Sequence, residues 1–161
     1  MVVDAIRYRQ QCLGHYQIHA YIVMANHVHL LITPCVEVSR LMQSLKRFTA
    51  WEGNRMLGHT GQPFWQDESY DRLVRDEAEF QRITRYIEMN PVKAGLAAKP
   101  EDFRWSSAGP INNRPARMPS CPTAKLTHYC LPTRRCGMPT SVTPRMPYNP
   151  PPPVPSRPFP R

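Results

Sequence analysis

The stretch Tyr21-Ile-Val-Met-Ala-Asn-His27-Val-His29-Leu-Leu-Ile-Thr-Pro34 decides how the rest of the chain is organised. Its second half is typical of a β-strand, in which His27 and His29 project from one face and Val28 from the other. Two imidazoles side by side on a rigid strand supply half of a metal site. Taken alone, such a pair is more often two ordinary histidines on a half-exposed strand, so the rest of the chain must decide.

Composition divides the 161 residues into a domain and a tail. Residues 1–109 hold 13 of the 21 Lys and Arg and all 12 Asp and Glu, whereas residues 110–161 hold the other eight cations and no acid. Of the 19 prolines, 15 lie in the second segment. Such a segment cannot bury enough apolar surface to offset its ordering entropy. We therefore predict a folded domain over 1–109 and a disordered, basic, proline-rich tail over 110–161.

Several classes of protein are disfavoured by the sequence. No apolar run approaches the roughly 18 residues of a transmembrane helix, and the first residues lack the pattern of a secretory signal. We therefore expect a cytoplasmic protein with no membrane partner. The cysteines and the histidine of the tail could form a zinc site, but their spacing fits no common zinc finger and prolines interrupt it. The residues of that imagined site are Cys121, His128, Cys130 and Cys136.

Hydrophobic periodicity and capping signals predict alternating helices and strands. The predicted helices cover residues 2–13, 40–57 and 77–90, with Ser39 and Asp76 as the caps of the second and third. The predicted strands cover residues 15–24, 27–33 and 64–74. A turn at Ala25-Asn26 would join the first two strands as a hairpin.

One face of the third predicted helix carries a row of polar groups. Arg82, Tyr86 and Asn90 stand at successive i+4 positions and so lie along one line. Tyr86 by itself could be a core tyrosine, and Asn90 could be a helix cap ahead of Pro91. On the second helix, the adjacent cations at 46 and 47 suit a solvated face or a phosphate contact equally well.

Three separate motifs carry a resemblance to a known family. They are Tyr-x-Val-Met-x-Asn-His-Val-His-Leu-Leu, then Leu-Met-Gln-Ser-Leu-Lys-Arg, then Tyr-Ile-x-x-Asn-Pro-Val-Lys-Ala-Gly-Leu with a Trp-Ser-Ser ending. In this order and spacing, they resemble the single-tyrosine HUH transposases, and most closely the branch of REP-associated tyrosine transposases. The resemblance covers residues 2–108.

The resemblance implies a fold and a set of site residues. The fold is a ferredoxin-like α/β (α+β) domain, with an antiparallel sheet and its helices on one face. The implied nucleophile is Tyr86. The implied metal ligands are His27, His29 and Asn90. Candidates for holding the DNA backbone are Lys46, Arg47 and Arg82.

The resemblance also implies an activity and its partners. Such an enzyme cuts and rejoins single-stranded or hairpin DNA through a 5′-phosphotyrosine, with a divalent metal, Mg²⁺ or Mn²⁺, and no nucleotide cofactor. A DNA substrate would associate the chain with the nucleoid. The sequence does not decide between a monomer and a homodimer whose two subunits share their active sites.

The chain departs from the family at both ends, because it starts directly at the first helix and ends in the basic tail. Loss of the family's first strand would leave the histidine-bearing strand with an unpaired apolar edge. We therefore expect an N-terminally truncated domain. Two other functions stay open: a catalytically inactive DNA-binding remnant, and a His-x-His metal-dependent hydrolase in which Tyr86 is dispensable.

Overall fold

A computed structural model of the protein describes residues 1–67, 69–109 and 125–133. No helix within these ranges is long and apolar enough to cross a membrane. In chain order the elements are α1 (Val2–Gln11), β1 (Tyr16–Val23), β2 (His27–Pro34), α2 (Val38–Leu57), β3 (Tyr70–Leu73), α3 (Glu77–Lys93), a short 3₁₀ helix (Pro100–Asp102) and β4 (Thr127–Pro132).

The strands form one antiparallel sheet in the order β1-β2-β4-β3. β1 and β2 make the predicted hairpin, with a bulge between Ile18 and Ala20. The buried side chain of Gln10 accepts a hydrogen bond from the backbone N–H of Ile18, 2.6 Å away, so this donor at the bulge is paired. The expected mixed α/β fold with an antiparallel sheet is confirmed.

β4 comes from the segment whose composition predicts disorder. Its Tyr129 and Leu131 are buried and alternate with half-buried neighbours, which is the period of a strand with one face on the core. β4 pairs with β2 along the edge that was expected to be open, and Tyr129 lies opposite Leu30. The predictions of disorder and of an open edge are therefore wrong for residues 127–132. The rest of the predicted tail, except residues 125, 126 and 133, lies outside the described ranges.

Helices cover both faces of the sheet. On one face Leu30 packs in a cluster with Ile6 of α1 and Leu41 of α2. On the other face Leu31 packs with Ile87 of α3. The expectation of helices on a single face is therefore wrong, because β2 is apolar on both sides and each side needs a layer that removes it from water.

The helix caps agree with the sequence for α3 and differ for α2. The Asp76 carboxylate accepts a hydrogen bond from the backbone N–H of Glu79 at 2.7 Å, as predicted. The cap of α2 is Glu37 rather than Ser39. Its carboxylate accepts from the backbone N–H groups of Ser39 and Arg40, each at 3.0 Å, and also from the Ser39 hydroxyl.

Two irregular segments complete the sheet. The predicted strand over 64–74 is regular only in β3, and Trp65 makes an isolated bridge to Thr133 beside the end of β4. At the opposite end of the sheet, the backbone N–H of Ser107 donates to the carbonyl of Tyr21 at 2.9 Å. The Trp-Ser-Ser segment thus covers the outer edge of β1.

Removing the side chain of Leu131 should measure what β4 contributes to the core. Leu131 is 1% exposed, so we expect Leu131→Ala to lower the free energy of unfolding by about 2–4 kcal/mol. Leu73→Ala on β3 is the control: Leu73 is 50% exposed, and its loss should be below about 1 kcal/mol. Urea unfolding followed by circular dichroism measures both. Equally small losses would mean that β4 does not pack on the core.

Candidate active site

β2 projects His27 and His29 from the face that α3 covers. Leu31, two residues further along, packs on that helix, and the alternation of the strand puts the two histidines on the same side. The centroids of the two imidazole rings are 4.8 Å apart. His29 is fully enclosed at 1% exposure, and His27 is half-buried. The predicted pair therefore lies on the covered face of the sheet, with His29 enclosed and His27 partly open to solvent.

Each histidine of the pair uses Nδ1 for a hydrogen bond and leaves Nε2 without one. Nδ1 of His27 lies 2.7 Å from Oδ1 of Asn26. A carboxamide oxygen only accepts, so Nδ1 of His27 carries the proton and its Nε2 carries the lone pair. Both Nε2 atoms are buried, and neither has a hydrogen-bond partner in the described part of the chain.

A third imidazole lies beside the pair. Nε2 of His128 on β4 is 3.1 Å from Nδ1 of His29, and the two ring centroids are 5.2 Å apart. The register puts Cys130 opposite His29 and His128 opposite Leu31, all on the α3 face. Sequence reasoning weighed His128 only as an unlikely zinc ligand and missed this contact. The available signal was the alternation of the apolar Tyr129 and Leu131, which indicates a strand that also contains His128.

α3 brings the predicted nucleophile to the same place. The ring centroid of Tyr86 lies 5.4 Å from that of His29, and the Nζ of Lys93 lies 5.3 Å from the Tyr86 ring. Asn90, one turn further along the helix, makes a side-chain hydrogen bond with Tyr86. The structure thus joins the histidine pair to Tyr86, and Asn90 to Tyr86.

Burial sets the protonation of the site. It lowers the pKa of His27, and with the neighbouring His128 and His27 it lowers the pKa of His29 to about 3. Burial and the guanidinium of Arg72 lower the pKa of His128 to about 4. All three rings are therefore neutral near pH 7, which is the form that binds metals.

The surroundings of Tyr86 raise its pKa, whereas those of the histidines lower theirs. Burial, followed by Cys130, raises the pKa of Tyr86, and the hydrogen bond with Asn90 lowers it in part. The phenol is therefore protonated at neutral pH and must lose its proton to act as a nucleophile.

His27 and His29 could supply two of the ligands of a cation site. Two neutral imidazoles each place a buried Nε2 atom there without a hydrogen-bond partner in the described chain, and an unprotonated imidazole nitrogen can bind a cation. Within those residues there is no group of three or more His, Cys, Asp or Glu that could hold a metal ion. A third protein ligand would therefore have to be of another type, and the carboxamide of Asn90, which is hydrogen-bonded to Tyr86, is a group of such a type.

The three predicted DNA contacts lie in two places. Arg82 is exposed on α3, and its guanidinium lies 3.6 Å from the Glu79 carboxylate. Lys46 and Arg47 lie on α2, across the sheet from the histidine pair. The Lys46 ammonium donates to the carbonyl of Gln66 at 3.2 Å, so it ties α2 to the segment before β3. The structure does not bring these two residues to Tyr86.

Arg47 instead lines an open groove on the outer side of α1 and α2. The groove is rich in arginine and aromatic side chains and has no acidic residue in its lining. Trp51 is 60% exposed and Phe48 is 44% exposed. The lining residues are Arg9, Arg40, Gln43, Ser44, Arg47, Phe48 and Trp51.

A comparison with models of protein families matches residues 5–90 to the family described as "Transposase IS200 like". The matched span runs from α1 into α3 and includes the histidine pair, Tyr86 and Asn90. It ends before β4 and His128. Among curated proteins and solved structures nothing matches.

The Cys130 thiol should react slowly with alkylating reagents. Burial raises its pKa from 9.0 to about 11, so its thiolate is about 100-fold scarcer at pH 8 than that of an ordinary thiol. A more basic thiolate is a better nucleophile, which recovers about tenfold and leaves a rate about tenfold lower. We expect iodoacetamide to modify the exposed Cys12 first, as measured by peptide mass spectrometry over time. Equal rates would mean that β4 leaves the sheet readily.

Proposed function

The chain belongs to the IS200-like transposase family, and on that premise we propose that it cuts and rejoins single-stranded or hairpin DNA through a covalent bond to Tyr86. The observation that carries the proposal is the Tyr86 ring 5.4 Å from the ring of the enclosed His29. A nucleophile beside two imidazoles with unused lone pairs is what a cation-assisted attack on phosphate requires.

The proposed reaction exchanges one phosphate ester for another. The phenol oxygen of Tyr86 attacks the phosphorus and loses its proton, while the bond from phosphorus to the 3′-oxygen breaks. The departing 3′-oxygen takes up a proton, so the products are a 5′-phosphotyrosyl enzyme and a free 3′-hydroxyl. Because the ester is kept in the covalent product, a second 3′-hydroxyl can reverse the step and join new ends without a nucleotide cofactor.

We propose His27, His29 and Asn90 as the residues that would hold a divalent cation, Mg²⁺ or Mn²⁺. Such an ion would polarise the scissile phosphate and stabilise the charge that develops on it. The contribution of the chain is to present two neutral imidazoles from a rigid strand and to exclude water around His29. Asn90 also holds the Tyr86 phenol through their hydrogen bond and favours the loss of its proton.

For DNA binding we propose two surfaces. Arg82 shares its helix row with Tyr86 and would hold the backbone near the reacting phosphate. The groove around Arg47 would hold DNA further away: its arginines suit phosphates, and exposed aromatic rings can stack on unpaired bases. Such a DNA enzyme would work with the nucleoid in the cytoplasm.

The proposed reaction predicts a covalent protein–DNA product. The full chain, incubated with Mn²⁺ and labelled single-stranded hairpin DNA, should give a protein–DNA band on a denaturing gel. Tyr86→Phe should abolish this band, because a phenyl ring has no oxygen to attack phosphorus. Tyr8→Phe is the matched control, since Tyr8 is 54% exposed on α1 and should be dispensable.

Other outcomes would favour the other functions. Cleavage without a covalent band, unchanged in Tyr86→Phe, would contradict the proposal and support a His-x-His hydrolase. Binding without any cleavage would indicate an inactive remnant that still recognises DNA.

The proposed role of the groove around Arg47 predicts a loss of DNA binding when its side chains are removed. Trp51→Ala should weaken binding of single-stranded DNA by about 1–3 kcal/mol through lost stacking. Arg47→Ala should weaken binding and lower the slope of log K against log salt by about 0.7, the value for one phosphate contact. Fluorescence anisotropy at several salt concentrations measures both. The exposed Lys99, on the loop after α3, supplies the control Lys99→Ala. Unchanged binding in Trp51→Ala and Arg47→Ala would exclude the groove from the DNA-binding surface.

A further inference from the structure

We propose that His128 on β4 is a positioning residue for His29: its Nε2 accepts a hydrogen bond from Nδ1–H of His29 and thereby keeps the lone pair of His29 on Nε2. This inference rests on the proposed function for its purpose, since the lone pair would serve the cation. It assigns a role to a residue outside the span 5–90 that matches the transposase family.

The first argument is the parallel between the two histidines of the pair. Oδ1 of Asn26, at 2.7 Å, can only accept, so it forces the proton of His27 onto Nδ1. Nε2 of His128, at 3.1 Å, stands in the same relation to Nδ1 of His29. In both rings it is the remaining Nε2 that is buried and unpartnered in the described chain. One arrangement thus occurs twice at neighbouring positions of β2.

The second argument is the rigidity of the contact. β4 is paired on both sides, with Leu31 of β2 and Arg72 of β3 opposite His128. Tyr129 and Leu131, on either side of Cys130, fix the strand in the core. Outer partners of this kind orient a metal-binding imidazole and select its tautomer, and their loss typically weakens metal binding 10- to 100-fold.

The alternative is that His128 is itself a third ligand. The nitrogen it presents to the site is Nε2, and that atom is within hydrogen-bond distance of Nδ1 of His29. In addition, no group of three His, Cys, Asp or Glu able to hold a metal occurs among the described residues. The geometry therefore favours a positioning role over ligation.

The direct test is the tautomer of His29 in the metal-free full chain. Long-range ¹H–¹⁵N spectra of the imidazole rings should show His29 protonated on Nδ1 and unprotonated on Nε2. In His128→Phe, which keeps a flat ring but has no acceptor, His29 should lose this single tautomer. Backbone amide signals of β4 in the same sample report whether the strand remains in place.

A second readout is the affinity for Mn²⁺ alone, measured by the paramagnetic signal of the free ion. His128→Phe should bind Mn²⁺ about 10- to 100-fold more weakly than the unchanged chain. His128→Gln should recover most of the loss, because its terminal amide lies near the position of Nε2, whereas His128→Asn is too short and should not. His59→Phe, in the loop after α2, is the control for losing a histidine elsewhere.

The outcomes separate this inference from the proposed function. A proton on Nε2 of His29 in the unchanged chain, or a tautomer that persists in His128→Phe with β4 in place, would overturn the role of His128. If the unchanged chain binds no Mn²⁺, the proposed cation fails. In that case the ring spectra still confirm or overturn the hydrogen bond that this inference requires.

Discussion

The fold depends on one constraint: β2 is apolar on both faces, so it must be covered on both sides and paired along both edges. Covering both sides requires α1 and α2 on one face and α3 on the other. Pairing both edges requires β1 and β4, because a buried backbone N–H or carbonyl without a partner is costly. The pairing of β2 with β4 therefore keeps this apolar strand from being an exposed edge, and it fixes which residues can reach the histidine pair.

The same burial gives the candidate site its chemistry. A strand that is enclosed on both faces holds His29 at 1% exposure, and this lack of solvent keeps its imidazole neutral. It also opposes ionisation of Tyr86 and Cys130, which face the same space. The imidazoles, the phenol and the thiol of the site are therefore neutral, and the charged groups beside them are the ammonium of Lys93 and the guanidinium of Arg72. The burial of β2 thus contributes both to the stability of the fold and to the neutral state of the groups in the candidate site.

Local patterns were enough to predict much of this arrangement. The alternation of β2 predicted that His27 and His29 share a face, and the i+4 spacing predicted that Tyr86 and Asn90 lie in one row; the structure has both. Composition predicted disorder where the structure has β4. The many prolines and cations around Thr127–Pro132 hid the alternating pattern of this six-residue strand. A cross-strand neighbour such as His128 cannot be inferred without the sheet register, which depends on contacts distant in sequence. Helices on both faces were missed because the expected single layer of helices came from the resemblance to a ferredoxin-like fold and not from the apolar residues on both sides of β2.

The pairing of β4 with β2 also has a consequence for the order in which the molecule is made. His29 and His128 are 99 residues apart in the chain, and synthesis proceeds from the N-terminus. During translation β1, β2, α2 and α3 leave the ribosome before the strand that covers the open edge of β2. Closing so long a loop is a slow, non-local step, so β4 is expected to dock after the rest has collapsed. Until then the nascent chain exposes an apolar strand edge that chaperones or other chains can bind.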